Sequence, residues 1–415
     1  MGSEKRNSYL VENRQPRFFY GYIVVLAAFC IMVVIWGTFR TFGIFFNPVL
    51  NEFGWTRAMT SGAMAVAAIF HAAFFPVAGR LTDKFGARWA LSVSGFSLGL
   101  GCLLMSQASV IWHLYVFYGV LIGIGLSFYW VPVISILPRW FIKKRALVMG
   151  IVACGIGIGQ LIYGPTVNWL ISTYGWRTSF IIVGSVSMGI IIISSHFLRR
   201  EPEQKGLLPY GEISAQQVTR AERFSIRQAV RTKQFWMYCG IFFSWDICFS
   251  VVLVHSVIHA IGLGMSPASA VNILVIIGVT GIVGRLVFGH LADVIGMKSV
   301  VVFSFGLMLT AFLCLIVDSQ MWMVYLFSAL YGLSYGSFEI LQSPIIANLF
   351  GLQSLGTIVG VAAGIGGTGF ILGSVIAGHI FDISGSYLVA FLMCAVASII
   401  AGILSAFLPL KKQGE

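Results

Sequence analysis

Two ten-residue stretches decide the architecture of this chain: GRLTDKFGAR at 79–88 and GHLADVIGMK at 289–298. Both contain G-x-x-x-D-x-x-G, with Asp83 and Asp293 at the same place in the pattern. The first glycine lets a neighbouring helix pack close, and the second permits a tight turn. The acid between them sits where it can cap a helix N-terminus or pair with a cation. One copy is a weak signal. Two copies, each after the second apolar segment of its half, mark an internal repeat.

Around these motifs lie apolar segments at 19–47, 57–80, 88–107, 110–137, 146–172, 178–198, 235–260, 267–292, 298–317, 321–348, 353–381 and 385–409. Each approaches or exceeds the roughly 20 residues that a helix needs to cross a bilayer. The expected fold is therefore an all-α membrane protein of twelve transmembrane helices in two pseudo-symmetric six-helix halves, 19–198 and 235–409. Residues 1–18 and 410–415 read as cytoplasmic tails, and 199–234 as a polar cytoplasmic central loop. Within that loop, 225–235 is expected to form a short amphipathic helix on the membrane surface.

Composition agrees. The chain is 58% hydrophobic and 10% charged, with mean hydropathy +0.92, and a soluble domain cannot hide that much apolar surface. Its 47 glycines are scattered through apolar runs, as close helix packing in lipid requires. The seven cysteines sit singly in apolar segments and read as small buried hydrophobes. No cleavable signal peptide is expected, because the polar start (Lys5, Arg6, Arg14, Arg17) leads into an apolar run too long for one.

The 26 lysines and arginines fix the orientation. With the N-terminus in the cytoplasm, all but Arg57, Arg177, Arg40 and Arg285 fall on the cytoplasmic side, and the last two lie within helices. Both termini are thus expected to be cytoplasmic. The net charge of +12 is a topology signal and a face for anionic lipid heads, not a nucleic-acid patch.

The chain is not expected to be an enzyme. It shows no nucleophile–base constellation, metal cluster or cofactor motif. The glycine-rich stretches 119–125, 155–159 and 360–373 follow no strand and lack the lysine of a P-loop. No nucleotide-driven activity is therefore expected, and the chain is expected to act as a monomer.

A charge at mid-membrane is costly and functional by default. Arg40, Asp246, Arg285 and Glu339 qualify. Arg285 is the first choice for substrate, since a guanidinium offers a planar fork that matches a carboxylate bidentately. Arg40 is a second anion contact, a gate residue or an outward-reaching side chain. Asp246 and Glu339 are candidates for proton coupling, or members of a permanent salt bridge, and Asp246 is preferred because His255 lies on the same segment. His255 and His259 share a face of the seventh segment, and His255 is placed in the pocket. Arg285 lies eight positions before Asp293, and Tyr129 eight before Leu137, so both are about 12 Å in from the cytoplasmic end. Tyr331 and Tyr335 share a face with Glu339 and complete the expected substrate site.

The doubled motif resembles the loop signature of the major facilitator superfamily, over the whole chain. Two further stretches look like signatures of its monocarboxylate transporter family: FYGYIVVLAAF (19–29) continuing to WGTFRTFGIFF (36–46), and RWFIKKRALVMG (139–150). GRLVFG (284–289) matches where that family carries an intramembrane Arg. Animal members have an Asp where Gly281 stands and a Lys where Arg40 stands. These departures suggest a bacterial branch, placed in the inner (plasma) membrane, to which oxalate–formate exchangers also belong. The resemblance implies proton-coupled symport of a lactate- or pyruvate-like monocarboxylate, with carboxylate exchange as the alternative. It also implies an inner gate in which Asp83, Asp293, Arg88 and Arg145, with the cluster 139–145, form charge pairs.

Overall fold

The computed structural model describes residues 19–211, 224–317 and 320–410, except the side chains of 57, 58, 267, 268 and 317. The tails 1–18 and 411–415 lie outside the described residues. The chain is helical almost throughout. We label the crossings α1 (Gly21–Phe53), α2 (Arg57–Phe85), α3 (Ala87–Met105), α4 (Ile111–Trp140), α5 (145–174), α6 (176–197), α7 (Lys233–Gly262), α8 (Pro267–Ile295), α9 (Met297–Val317), α10 (Met321–Phe350), α11 (Leu355–Ser384) and α12 (Leu388–Phe407).

Three departures from the expected boundaries have physical causes. The segments 146–172 and 178–198 are joined by a single residue, Gly175, whose φ of 78° breaks the helix and needs no longer loop. The first crossing is interrupted at Thr41, between Gly21–Arg40 and Phe42–Phe53. The expected amphipathic helix at 225–235 is one turn, Ile226–Ala229, closed by a capping box of Ser225 and Gln228. Thr232 then caps α7 separately.

Packing repeats with an offset of six helices. In the first half α1 packs on α5, α2 on α4, and α3 on α4 and α6. In the second half α7 packs on α11, α8 on α10, and α9 on α10 and α12. The halves meet along two seams, α2 against α11 and α8 against α5. Large apolar side chains such as Trp89, Phe96, Ile193, Phe303 and Val375 are exposed and form the lipid-facing surface. By contrast α10 is buried along most of its length and turns Tyr331, Tyr335, Glu339 and Gln342 inward.

Candidate functional site

Arg285 on α8 and Glu339 on α10 form a buried ion pair. Arg285 Nη2 lies 2.7 Å from Glu339 Oε2, and Nε donates to the same oxygen at 2.8 Å. The side chains are only 4% and 3% exposed. Glycines make this approach feasible: a Cβ on Gly336 would meet the Gly281 carbonyl at 2.7 Å and Arg285 Cγ at 2.9 Å. Residues 331, 335 and 339 share one face of α10, as their spacing requires. The Tyr335 hydroxyl donates to Glu339 Oε1 at 3.4 Å, and its ring lies 5.7 Å from the Arg285 guanidinium carbon. Tyr335 in turn stacks on Trp245 at 5.1 Å and Phe249 at 4.9 Å.

The first half faces this pair with another cation. Arg40 is within electrostatic reach of Tyr129, Tyr335 and Glu339, so it points between the halves rather than out toward the headgroups. Among the described residues it forms no ion pair. Its guanidinium carbon lies 5.4 Å from the Trp36 ring centre. Trp36 meets Tyr129 edge-on at 6.4 Å, and Tyr129 lies parallel to His71 at 6.5 Å. Asp246 is 7% exposed, next to Trp245, and acts electrostatically on Tyr238, Tyr331 and Tyr335.

The remaining expected residues divide. Tyr331 is buried between Phe312, Phe327 and Tyr335, and its hydroxyl has no hydrogen-bond partner among the described residues. His255 is not brought to the Arg285 group. Its Nε2 donates to the Ser374 carbonyl at 3.0 Å and its Nδ1 accepts from the Tyr387 hydroxyl at 3.1 Å. With both ring nitrogens engaged, it ties α7 to α11 and α12. The sequence reading passed over Trp36, His71 and Trp245. His71 carried a visible signal, since a histidine inside an apolar segment has the same standing as His255.

At the end carrying the loop motifs, the halves are joined by two reciprocal caps. Asp83 at the end of α2 accepts from the backbone N–H groups of Gly356 (3.1 Å) and Thr357 (2.6 Å), and from the Thr357 hydroxyl (2.7 Å), at the start of α11. Asp293 at the end of α8 accepts from Ala146 N (3.0 Å) and Leu147 N (2.9 Å) at the start of α5. Neither receiving helix has a side-chain cap of its own, at Ser354 or Lys144. Each half therefore supplies the cap that the other lacks. The first glycines act as expected: a Cβ on Gly289 would meet the Ala146 carbonyl at 2.8 Å.

Of the expected charge pairs, Arg139 with Asp83 is present, whereas Arg145 and Arg88 form none among the described residues. Arg139 lies 3.7 Å from Asp83, 3.2 Å from Glu201, and donates to the Leu352 carbonyl across the seam at 2.5 Å. Arg145 turns back to the Phe141 and Pro138 carbonyls and forms no ion pair with Asp293. Arg88 is exposed and makes no side-chain bond among the described residues. From the motif end, cross-half contacts run to Ala72 against Gly364 on one seam and Ile282 against Cys154 and Gly157 on the other. Ala72 and Ile282 each lie eleven positions before the motif acid, about 16 Å along the helix.

Residues 24–316 and 262–415 match the family model for the Major Facilitator Superfamily. The chain belongs to that superfamily. Its helices follow a proton:xylose symporter bound to 6-bromo-6-deoxy-D-glucose with a TM-score of 0.77, over 95% of this chain and 97% of that one, at 13% identity. They follow the fucose:proton symporter of E. coli with a TM-score of 0.72, over 94% and 100%, at 15% identity. Within the superfamily the similarity runs to monocarboxylate transporters. Monocarboxylate transporter 13 of Bos taurus is 26% identical over 92% of this chain and 88% of its own length. Monocarboxylate transporter 12 of Homo sapiens is 24% identical over 99% and 85%. These relatives are animal proteins and offer no counterpart to the bacterial branch expected from Gly281 and Arg40.

Proposed function

We propose that this superfamily transporter carries a small monocarboxylate, of the lactate or pyruvate kind, together with a proton by alternating access. The observation that carries the reading is the buried Arg285–Glu339 pair, facing Arg40 across the interface between the halves. A guanidinium held by a carboxylate is a site where a substrate carboxylate can compete for the same donors. Glu339 gives up Arg285 most readily when it takes a proton, because the neutral acid no longer needs a cation. Anion and proton therefore favour each other's binding.

The motif side is proposed to be cytoplasmic, as are both termini. The caps of Asp83 and Asp293 then hold the inner gate shut in an outward-facing state. Gly281 fits the same scheme. A Cβ there would sit 3.4 Å from Arg285 Nη1, so an Asp at this position would place its acid beside the guanidinium. Here the counter-charge comes from Glu339 on the neighbouring helix instead. The pair favours Glu339 over Asp246 as the proton acceptor that competes with substrate.

Carboxylate exchange of the oxalate–formate type is the second reading, favoured by Arg40, a second intramembrane cation that forms no ion pair among the described residues. Radiolabelled lactate uptake into proteoliposomes separates the two. Symport gives accumulation above the outside concentration when the interior is more alkaline. Uptake that ignores the pH difference and requires oxalate or formate inside would establish exchange.

A further inference from the structure

A groove of about 390 Å³ opens between the start of α7 and the end of α12, lined by Arg231, Thr232, Lys233, Trp236, Met237 and Leu404. It lies at the motif end of the second half. Phe235, beside it, packs its ring 6.4 Å from that of Phe350, the last residue of α10. The groove faces lipid: Trp236 is 56% exposed, and Phe407, one turn beyond Leu404 on α12, is 76% exposed.

The lining changes character with depth. Arg231 and Lys233 are exposed, and their side chains make no hydrogen bond or ion pair among the described residues. There is no Asp or Glu from 224 to 245, or along α12, to answer them. The first turn of α7 also lacks an acid, so the helix dipole adds to their potential. Thr232 fixes the backbone between the two cations. Its hydroxyl donates to the Ala229 carbonyl at 2.7 Å and accepts from the Phe235 N–H at 3.2 Å. Trp236 is pinned by its indole N–H, which donates to the Val230 carbonyl at 2.9 Å. Such a ring suits the boundary between headgroups and hydrocarbon. Met237 lies one turn further into the membrane than Lys233, about 6 Å along the helix, and faces the groove with Leu404. An occupant that fits carries an anion at one end and hydrocarbon at the other. A free phosphate would leave the apolar part bare, and a lipid without net charge would leave the two cations unanswered.

We propose that this groove binds one anionic phospholipid, with its phosphate between Arg231 and Lys233 and an acyl chain along Met237 and Leu404. The binding is independent of which acid the protein carries. The bound lipid fastens the start of α7 to the end of α12, so it stabilises the folded protein.

Thermal unfolding of the detergent-solubilised full-length protein tests this. Phosphatidylglycerol should raise the unfolding temperature in a saturable manner. Phosphatidylcholine with the same chains, and glycerol phosphate without chains, should leave it unchanged. Arg231→Gln with Lys233→Gln should weaken the apparent affinity for phosphatidylglycerol about thirtyfold, the effect of two surface cations. Lys84→Gln with Lys298→Gln removes two exposed cations from the same end of the molecule and should leave the affinity unchanged. Leu404→Trp fills the groove, keeps both cations, and should weaken the binding as well. Native mass spectrometry should count one retained phosphatidylglycerol on the wild type and none on the Arg231/Lys233 variant. An equal response to phosphatidylcholine would overturn the proposal, and so would a response to glycerol phosphate alone. Equal loss in the Lys84/Lys298 variant would reduce the effect to general surface charge and overturn the site. No response to any lipid, with dimers retained in the spectrum, would give the groove to a second copy of the chain instead.

Discussion

Arg285 shows what one residue can and cannot announce from sequence. An arginine inside an apolar segment advertises itself, because mid-membrane charge is rare. Its partner was less legible. Spacing put Tyr331, Tyr335 and Glu339 on one face of α10, but only the packing of α8 against Gly332 and Gly336 shows that this face meets Arg285. In sequence Asp246 is the preferred proton site, because His255 lies on the same segment; only the packing of α8 on α10 pairs Glu339 with Arg285 and turns the choice. Lysine at 285 would keep the charge and lose the fork. Arg285→Lys is therefore expected to reduce lactate uptake to background, with normal membrane insertion. Glu339→Gln leaves the guanidinium without its buried counter-ion, and removing one member of such a pair costs about 3–5 kcal/mol. That variant should be less thermostable, and millimolar lactate should restore part of the loss by supplying a carboxylate. Thermal unfolding of the detergent-solubilised proteins with and without lactate measures both effects. A Glu339→Gln protein that is as stable as the wild type would show that the pair does not hold this state together.

At the scale of elements, apolar length placed all twelve crossings, while their joints depended on single residues. Gly175 turns two helices without a loop, where the polar run 172–178 reads as a longer connection. Thr41 interrupts α1 in a run that reads as continuously apolar. The gate was partly legible. The motif acids could be read as caps, but the receiving helices lie in the opposite half, at a sequence distance that no local pattern conveys. Arg139 reaches across the seam, whereas Arg145 folds back onto nearby carbonyls and Arg88 is exposed, a difference that is invisible in a string of basic residues. Each motif acid also sits at the C-terminal end of its own helix, where a negative charge is unfavourable. Docked on a facing N-terminus it is stabilising by up to about 2 kcal/mol. Asp83→Asn and Asp293→Asn remove the charge and keep one acceptor. Each should shift the population toward the state open on the motif side, by up to about thirtyfold if that full stabilisation is lost. Cysteine probes placed on the motif side of the interface would then label faster. Unchanged labelling in both variants would exclude the caps as latches.

At the scale of the whole molecule, the proposed anion and proton cycle makes a claim about net charge. If the empty carrier returns with Arg285 paired to Glu339, that part of the site is neutral. An anion arriving with a proton leaves it neutral again: Arg285 pairs with substrate, and Glu339 becomes the neutral acid. The moving charge is then the same in both directions of the cycle. A membrane potential does about 2.3 kcal/mol of work per charge at 100 mV, so any uncompensated charge would be felt strongly. Lactate uptake driven by a pH difference should therefore be insensitive to a potassium-diffusion potential set with valinomycin. Asp246 tests the assignment from the other side. If it were the transported-proton site, Asp246→Asn would lose accumulation under a pH difference and keep exchange. If Glu339 fills that role, Asp246→Asn should still accumulate lactate, whereas Glu339→Gln should exchange lactate without accumulating it. Accumulation retained in Glu339→Gln and lost in Asp246→Asn would return the proton to α7 and leave the Arg285–Glu339 pair a structural tie between α8 and α10.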